Sequence, residues 1–250
     1  MTLSLKERLI VHLVPASLYY WRRIVDEARW GEHELSALRA ILAPGGTAVD
    51  VGANQGFFAY AFSQIADRVE AFEPNPDCAA FARRMLGRRA RVHTVALSNR
   101  SGRREFVVPV SEDGSVLHLG GALANDSGGA AKTMRFEVDV RTLDSYGFTD
   151  VRVIKADVEG SEMDVLEGAH TAIRRDRPAL IVELLTGAHS DPVATTQTIC
   201  AEFGYSAWLV REDAGREEAL PVLRSLGSNT TWGSAIRNRN VLFLPHSCGP

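Results

Sequence analysis

From Gly46 onward, short runs of aliphatic and β-branched residues alternate with longer stretches in which apolar positions recur at helical spacing. TAVDV predicts a first strand, Phe57 to about Asp67 a helix, RVEAFE a second strand, Asp77 to Leu86 a helix, and ARVHTVAL a third strand. A βαβαβ series of this kind predicts a mostly parallel sheet with helices on both faces and right-handed crossovers. The rhythm then breaks: RREFVVPV and TMRFEVDVRTL predict strands flanking a polar, glycine-rich stretch. Residues 111–134 are therefore expected to form a β-hairpin-like insertion with a mobile tip. Alternation resumes with VRVIKADV, a helix from about Glu162 to Arg175, PALIVELL, a helix around Val193 to Phe203, and YSAWLV. NVLFLP closes the series with no obvious helix before it, so the last two strands are expected to pair antiparallel. The predicted fold class is α/β, with a seven-stranded, mostly parallel sheet and one reversed strand.

Residues 1–45 read as an N-terminal helical extension, and Pro44-Gly45-Gly46 marks its junction with a single domain over 46–250. Leu5, Leu9 and Leu13 fall at helical spacing and predict an amphipathic helix packed on that domain. A homodimer contact, a lid over a cleft, and a surface membrane helix using Tyr19, Tyr20 and Trp21 beside Arg22 and Arg23 are the alternatives. Stable membrane insertion is not expected, because Pro15 interrupts the apolar stretch and Lys6, Glu7, Arg8 and His12 make it too polar.

Composition narrows the picture. With 250 residues, 45% hydrophobic and 24% charged, one large buried core is expected. A net charge of -3 argues against a nucleic-acid partner. Cys78, Cys200 and Cys248 show no paired spacing, which fits a reducing, cytoplasmic compartment and neither disulfides nor zinc.

In an open parallel sheet, ligands bind beyond the carboxyl ends of the strands, so the turn after the first strand is the place to look for chemistry. It reads VDVGANQGFF. Gly52 and Gly56 permit a close approach, but Asn54 and Phe57 stand where a dinucleotide fingerprint needs glycine, which disfavours a pyrophosphate. S-adenosylmethionine (SAM), with an adenosine and an amino-acid tail but no phosphate, fits better. Glu73, at the end of the second strand, is placed to accept from both ribose hydroxyls. A nicotinamide-dependent oxidoreductase and a non-catalytic nucleoside-binding protein remain as rivals.

VDVGANQGFF, VEAFEPNP, VALSNRSG, VRTLDSY, VIKADVEGSEMDVLEGA and RPALIVELL, in that order between about 47 and 185, resemble the SAM-dependent methyltransferases of the FkbM family. The resemblance implies a Rossmann-like methyltransferase fold and methylation of a hydroxyl on a sugar or natural-product scaffold. It implies that Asp50, Gly52, Asn54 and Gly56 line the methionine end of the donor and that Glu73 meets the ribose. Ala96 and Leu97 would lie near adenine, and Asp157 would face the transferring methyl. The third strand ends in VALSN, without an acid for the adenine amino group, so Ser98 or a backbone carbonyl is expected there.

A hydroxyl is a poor nucleophile at neutral pH and needs a general base or a metal. The candidates are Asp157 and Glu159 after the fourth strand, Glu183 after the fifth, and His189 in the following loop. Asp157 and Glu183 are also the pair that would hold Mg²⁺. The simpler reading has Asp157 on the donor ammonium, Glu159 capping the helix near Ser161 and Glu183 orienting substrate. Glu162 and Glu167 are expected to be solvated helix residues, His118 in the insertion is a further histidine weighed as a base, and Trp30, Trp208 and Trp232 are expected in the core, with stacking on a sugar or the adenine as the alternative. The expected acceptor is a sugar, oligosaccharide or related small molecule, with a polyketide or other secondary metabolite next.

Overall fold

The computed structural model describes residues 5–30, 33–110, 121–123, 133–184, 191–211, 215–226 and 240–246. His118, His189, Trp232, Cys248 and most of the 111–134 insertion, with its expected mobile tip, lie outside these residues. Three helices come first, α1 (Leu5–Leu13), α2 (Ala16–Trp30) and α3 (His33–Ile41). The series β1 (Thr47–Val51), α4 (Phe57–Phe62), β2 (Arg68–Phe72), α5 (Pro76–Leu86) and β3 (Arg91–His93) follows. Asn75 starts α5 by accepting from the Asp77 amide, with Pro76 at the first helical position.

A second sheet is built from β4 (Ala96–Leu97), β5 (Gly102–Pro109), β6 (Ala122–Leu123) and β7 (Thr133–Arg141). β5 and β7 pair antiparallel over their lengths, β6 lies along the outer edge of β5, and β4 pairs parallel to β7. The predicted third strand 90–97 is thus two strands in two sheets, because the chain leaves the first sheet after His93.

The main sheet is completed by β8 (Val151–Ala156), α6 (Glu162–Glu167), α7 (His170–Asp176), β9 (Ala179–Glu183), α8 (Pro192–Phe203), β10 (Tyr205–Val210), β11 (Arg216–Glu218), α9 (Ala219–Leu226) and β12 (Asn240–Pro245). Its order is β11-β10-β12-β9-β8-β1-β2-β3. Among the described residues it therefore has eight strands rather than seven. β12 runs antiparallel to both β9 and β10, as expected of the last strand, but β11 is a second reversed strand on the edge of β10. β11 consists of three exposed charged residues and is held by backbone pairing, so it carries no apolar alternation to read. The segment before β12, expected to be irregular, contains α9.

The strands alternate their side chains between two core layers. Val49, Val51 and Ile154 face the layer under α6 to α9, whereas Ala48 and Val153 face the layer that holds Phe58, Phe62 and Phe81. Tyr20, Leu35 and Leu38 belong to that second layer, so the N-terminal helices pack into the domain core. Ile10 and Val11 are the α1 residues turned inward, while Leu9 and Leu13 are 51% and 74% exposed. Of the aromatic trio on α2, Tyr20 is buried, Tyr19 packs on the core and Trp21 is exposed. Among the described residues, no helix is long and apolar enough to cross a membrane.

Candidate active site

β1 and β8 are parallel neighbours, and their register places Asp50 opposite Lys155. Alternation sends both side chains to the face that also carries Ala48 and Val153, beneath the N-terminal helices. Lys155 is 2% exposed, lies 4.5 Å from the centre of the Phe58 ring, and donates to Asp157 Oδ2 at 2.6 Å. Asp50 is 1% exposed, and neither of its oxygens makes a hydrogen bond of normal geometry, although the Ala59 amide lies near enough to favour its charge. Burial pushes its pKa up to about 6, with Lys155 opposing the rise.

After Val51 the chain turns through Gly52 at φ 78°, Asn54 at φ 49° and Gly56 at φ 87°. The end of β8 crosses so close that a Cβ on Gly52 would lie 1.7 Å from the Asp157 carbonyl oxygen. Glycine is required here by the backbone itself. The turn is fastened on two sides. Glu73 accepts from the Asn54 amide at 2.8 Å and the Asn75 amide at 2.7 Å. On the other side Tyr20 donates to the Gln55 carbonyl and Tyr19 to Gln55 Oε1, both at 2.8 Å. Burial raises the Glu73 pKa to about 7 against the pull of its two amide donors.

Asp157, Glu159 and Glu183 converge beyond the ends of β8 and β9, with carboxylate oxygens all within 4.8 Å of one another. Glu159 reaches this position with φ 56°, in the left-handed region. Burial first, then the neighbouring Asp157 carboxylate, raises the Glu183 pKa well above the carboxylate range. The loop 157–160 is held by Glu162, which is 7% exposed and accepts from the Val158 and Gly160 amides at 3.2 and 3.0 Å. Glu162 is therefore a buried cap rather than a solvated residue. Glu159 lines the cavity, and Ser161, at the N-cap of α6, makes no side-chain capping bond.

Gly52, Asn54, Glu73 and the three clustered carboxylates line a cavity of about 270 Å³ along the carboxyl ends of the strands. Of the predicted residues, Gly52, Asn54, Glu73, Ala96, Leu97, Asp157 and Glu183 all line it. Asp50 lies behind the turn, and Gly56 packs away from the cavity, where an added Cβ would sit 2.9 Å from Leu86 Cδ1 and 3.2 Å from the Tyr20 hydroxyl. Ser98 points to Asp164 at 3.4 Å and does not line the cavity. Glu167 is exposed as expected and accepts from Asn99. Lys155 was not among the predicted residues. Its signal in the sequence is a lysine inside the otherwise apolar run VRVIKA, two residues before Asp157.

The cavity has features that suit SAM: a side-chain-free approach at Gly52 and a Glu73 carboxylate with an unused lone pair on each oxygen. An α/β sheet with its ligand groups strung along the strand ends defines the class as a nucleoside-binding fold of the methyltransferase kind. The model of the methyltransferase FkbM domain matches residues 50–207, and the chain belongs to this family of SAM-dependent methyltransferases. The chain is similar to the 2-O-methyltransferase NoeI of Sinorhizobium fredii, 31% identical over 145 residues, covering 52% of this chain and 59% of that protein. Among solved structures it is similar to the methyltransferase FkbM of Methylobacillus flagellatus, at 20% identity and a TM-score of 0.51. That likeness covers 82% of this chain and 45% of the other. The chain thus spans about half the length of the relatives it matches.

Proposed function

We propose that this methyltransferase transfers the methyl group to a hydroxyl oxygen of a sugar, oligosaccharide or related small molecule. The observation that carries the reading is the Asp157–Glu159–Glu183 cluster at one end of the donor cavity. Two neighbouring carboxylates that cannot both ionise share a proton and leave one basic oxygen, which suits the removal of a hydroxyl proton. Gly52, Asn54 and Glu73 would hold the donor, which supplies an electrophilic methyl when bound. The Asp157–Glu183 pair receives the acceptor proton, Lys155 fixes Asp157 as its ionised member, and Glu162 holds the loop that carries Glu159. An acid-lined mouth fits a polyhydroxylated acceptor better than a polyketide, and the name of the NoeI relative supports oxygen as the atom methylated.

The same spacing favours a second reading in which the three carboxylates hold Mg²⁺, since hard cations take clustered carboxylate oxygens. The experiment is turnover with SAM over a panel of glycans and polyketides, with Mg²⁺ or with EDTA, for wild type and Glu183→Gln. Loss of about 100-fold or more in kcat in the variant, with S-adenosylhomocysteine affinity retained, is the expected result. Full activity of Glu183→Gln would remove the proton-acceptor reading, and abolition by EDTA would put the metal in its place.

A further inference from the structure

The cavity is acidic at one end and apolar at the other, and the strand order says which part of a donor meets each. The acidic cluster stands on β8 and β9, Gly52 and Asn54 follow β1, Glu73 follows β2, and Val95 to Leu97 follow β3. This is a traverse of neighbouring strands across roughly 19 Å. With Glu73 on the ribose, the nucleobase falls on the side away from the acids. There the described lining holds no charged side chain past Glu73. Asn75 uses its side chain to accept from the Asp77 amide. The remaining wall comes from the second sheet: Phe106 of β5 and Leu123 of β6, direct partners in the antiparallel register.

We infer that Phe106 and Leu123 form the nucleobase wall of the donor site. The inference rests on the donor reading above and assigns the inserted sheet to donor binding rather than to the acceptor alone. Both side chains belong to the small core of that sheet with Ala96, Val108, Val138 and Val140, yet both line the cavity. Their exposure is only 5% and 6%. The Phe106 ring is braced by Phe136 at 5.6 Å between centroids, so it is positioned before a ligand arrives. A flat heterocycle packing on a fixed aromatic ring and a leucine gains affinity without ordering either side chain. This also accounts for the absence of an acid at the end of the third strand. The base is held by packing on this wall, and no carboxylate is needed for its amino group.

The test is calorimetric titration of the full chain with S-adenosylhomocysteine and with 5′-methylthioadenosine, which keeps base and ribose but lacks the amino acid. Wild type is compared with Phe106→Leu and Leu123→Ala. Both variants are expected to lose about five- to tenfold in affinity for both probes, by the same factor. A readout independent of variant folding comes from wild-type protein labelled at leucine methyl carbons. Adenine protons of bound S-adenosylhomocysteine should show nuclear Overhauser contacts to the Leu123 methyls. Unchanged affinities, or contacts to other leucines without Leu123, would overturn the wall while leaving the donor reading intact. Wild-type protein that binds neither probe would remove the donor reading and the wall with it.

Discussion

Gly52→Ala is the substitution whose effect follows most directly from the geometry. The new Cβ would lie 1.7 Å from the Asp157 carbonyl oxygen and 2.8 Å from its carbonyl carbon. Real Cβ atoms essentially never come within 3.0 Å of another heavy atom, so β1 and β8 must part by more than an ångström at their carboxyl ends. An alanine at φ 78° adds roughly 1 to 2 kcal/mol of backbone strain. The clash adds overpacking strain of about 1 to 3 kcal/mol, because backbone rather than a flexible side chain must yield. The total expected loss of folding stability is about 2 to 5 kcal/mol, a large part of the margin of a typical domain. The displaced atom belongs to a residue of the acidic cluster, so chemistry suffers as well. Misplacement by an ångström is enough for about a 100-fold loss of kcat. Urea unfolding gives the first quantity, and S-adenosylhomocysteine titration with single-turnover kinetics gives the second. A Gly52→Ala protein with wild-type midpoint and donor affinity would refute the close crossing of the two strand ends.

Lys155→Met keeps the volume but removes the cation that offsets Asp50 and Asp157, and is expected to lower stability by roughly 3 kcal/mol in urea unfolding. Asp50→Asn tests the pH dependence. The folded pKa of Asp50 is raised from 3.8 to about 6, so its proton stabilises the fold fully below about pH 4, and that contribution is lost as pH rises through 6. Wild type and variant should therefore agree near pH 4 and diverge by up to roughly 3 kcal/mol by pH 8, with the variant the more stable. Equal pH profiles would remove burial as the cause. Tyr20→Phe leaves the Gln55 carbonyl without its hydroxyl donor and is expected to lower stability by about 1 to 2 kcal/mol and to weaken S-adenosylhomocysteine binding severalfold. A midpoint shift with donor affinity untouched would mean that α2 braces the domain without shaping the turn.

The central strands were legible because each is an apolar run closed by a turn signal, as in TAVDV before Gly52 and ALIVE after Pro178. α5 and α8 were legible through the return of helical spacing over 77–86 and 193–203, and each starts at a cap, Asn75-Pro76 and Asp191-Pro192, that the reading of the spacing did not use. The predicted helix 162–175 is two helices, α6 and α7, because Asp144 takes both ends of the hydrogen bond that would join them: its amide donates to the Gly168 carbonyl and its carboxylate accepts from the Thr171 and Ala172 amides. A contact made from a distant part of the chain leaves no periodic trace. Glu162 reads as solvated because nothing local reveals that the two amides it accepts from are sealed from water. On α1 the choice between Leu5-Leu9-Leu13 and Ile10-Val11 as the inward face was ambiguous in periodicity alone, and packing against the domain decides for the second. Asp50 and Lys155 lie within recognised strands, yet their adjacency depends on register, which sequence pattern does not supply.

The place of β12 between β9 and β10 has a consequence for how the chain is made. While the ribosome is still adding residues after Val210, Glu183 stands on a strand whose outer edge is bare, and β10 has no neighbour through which to join the sheet. The half of the sheet that carries Glu183 can close only when residues 240–245 emerge, long after β1, β2 and β8 have been available to pair. Bare strand edges of this kind invite pairing with other chains. The nascent protein is thus expected to depend on chaperones late in synthesis, and premature termination anywhere before Asn240 should yield aggregates rather than a partly active enzyme.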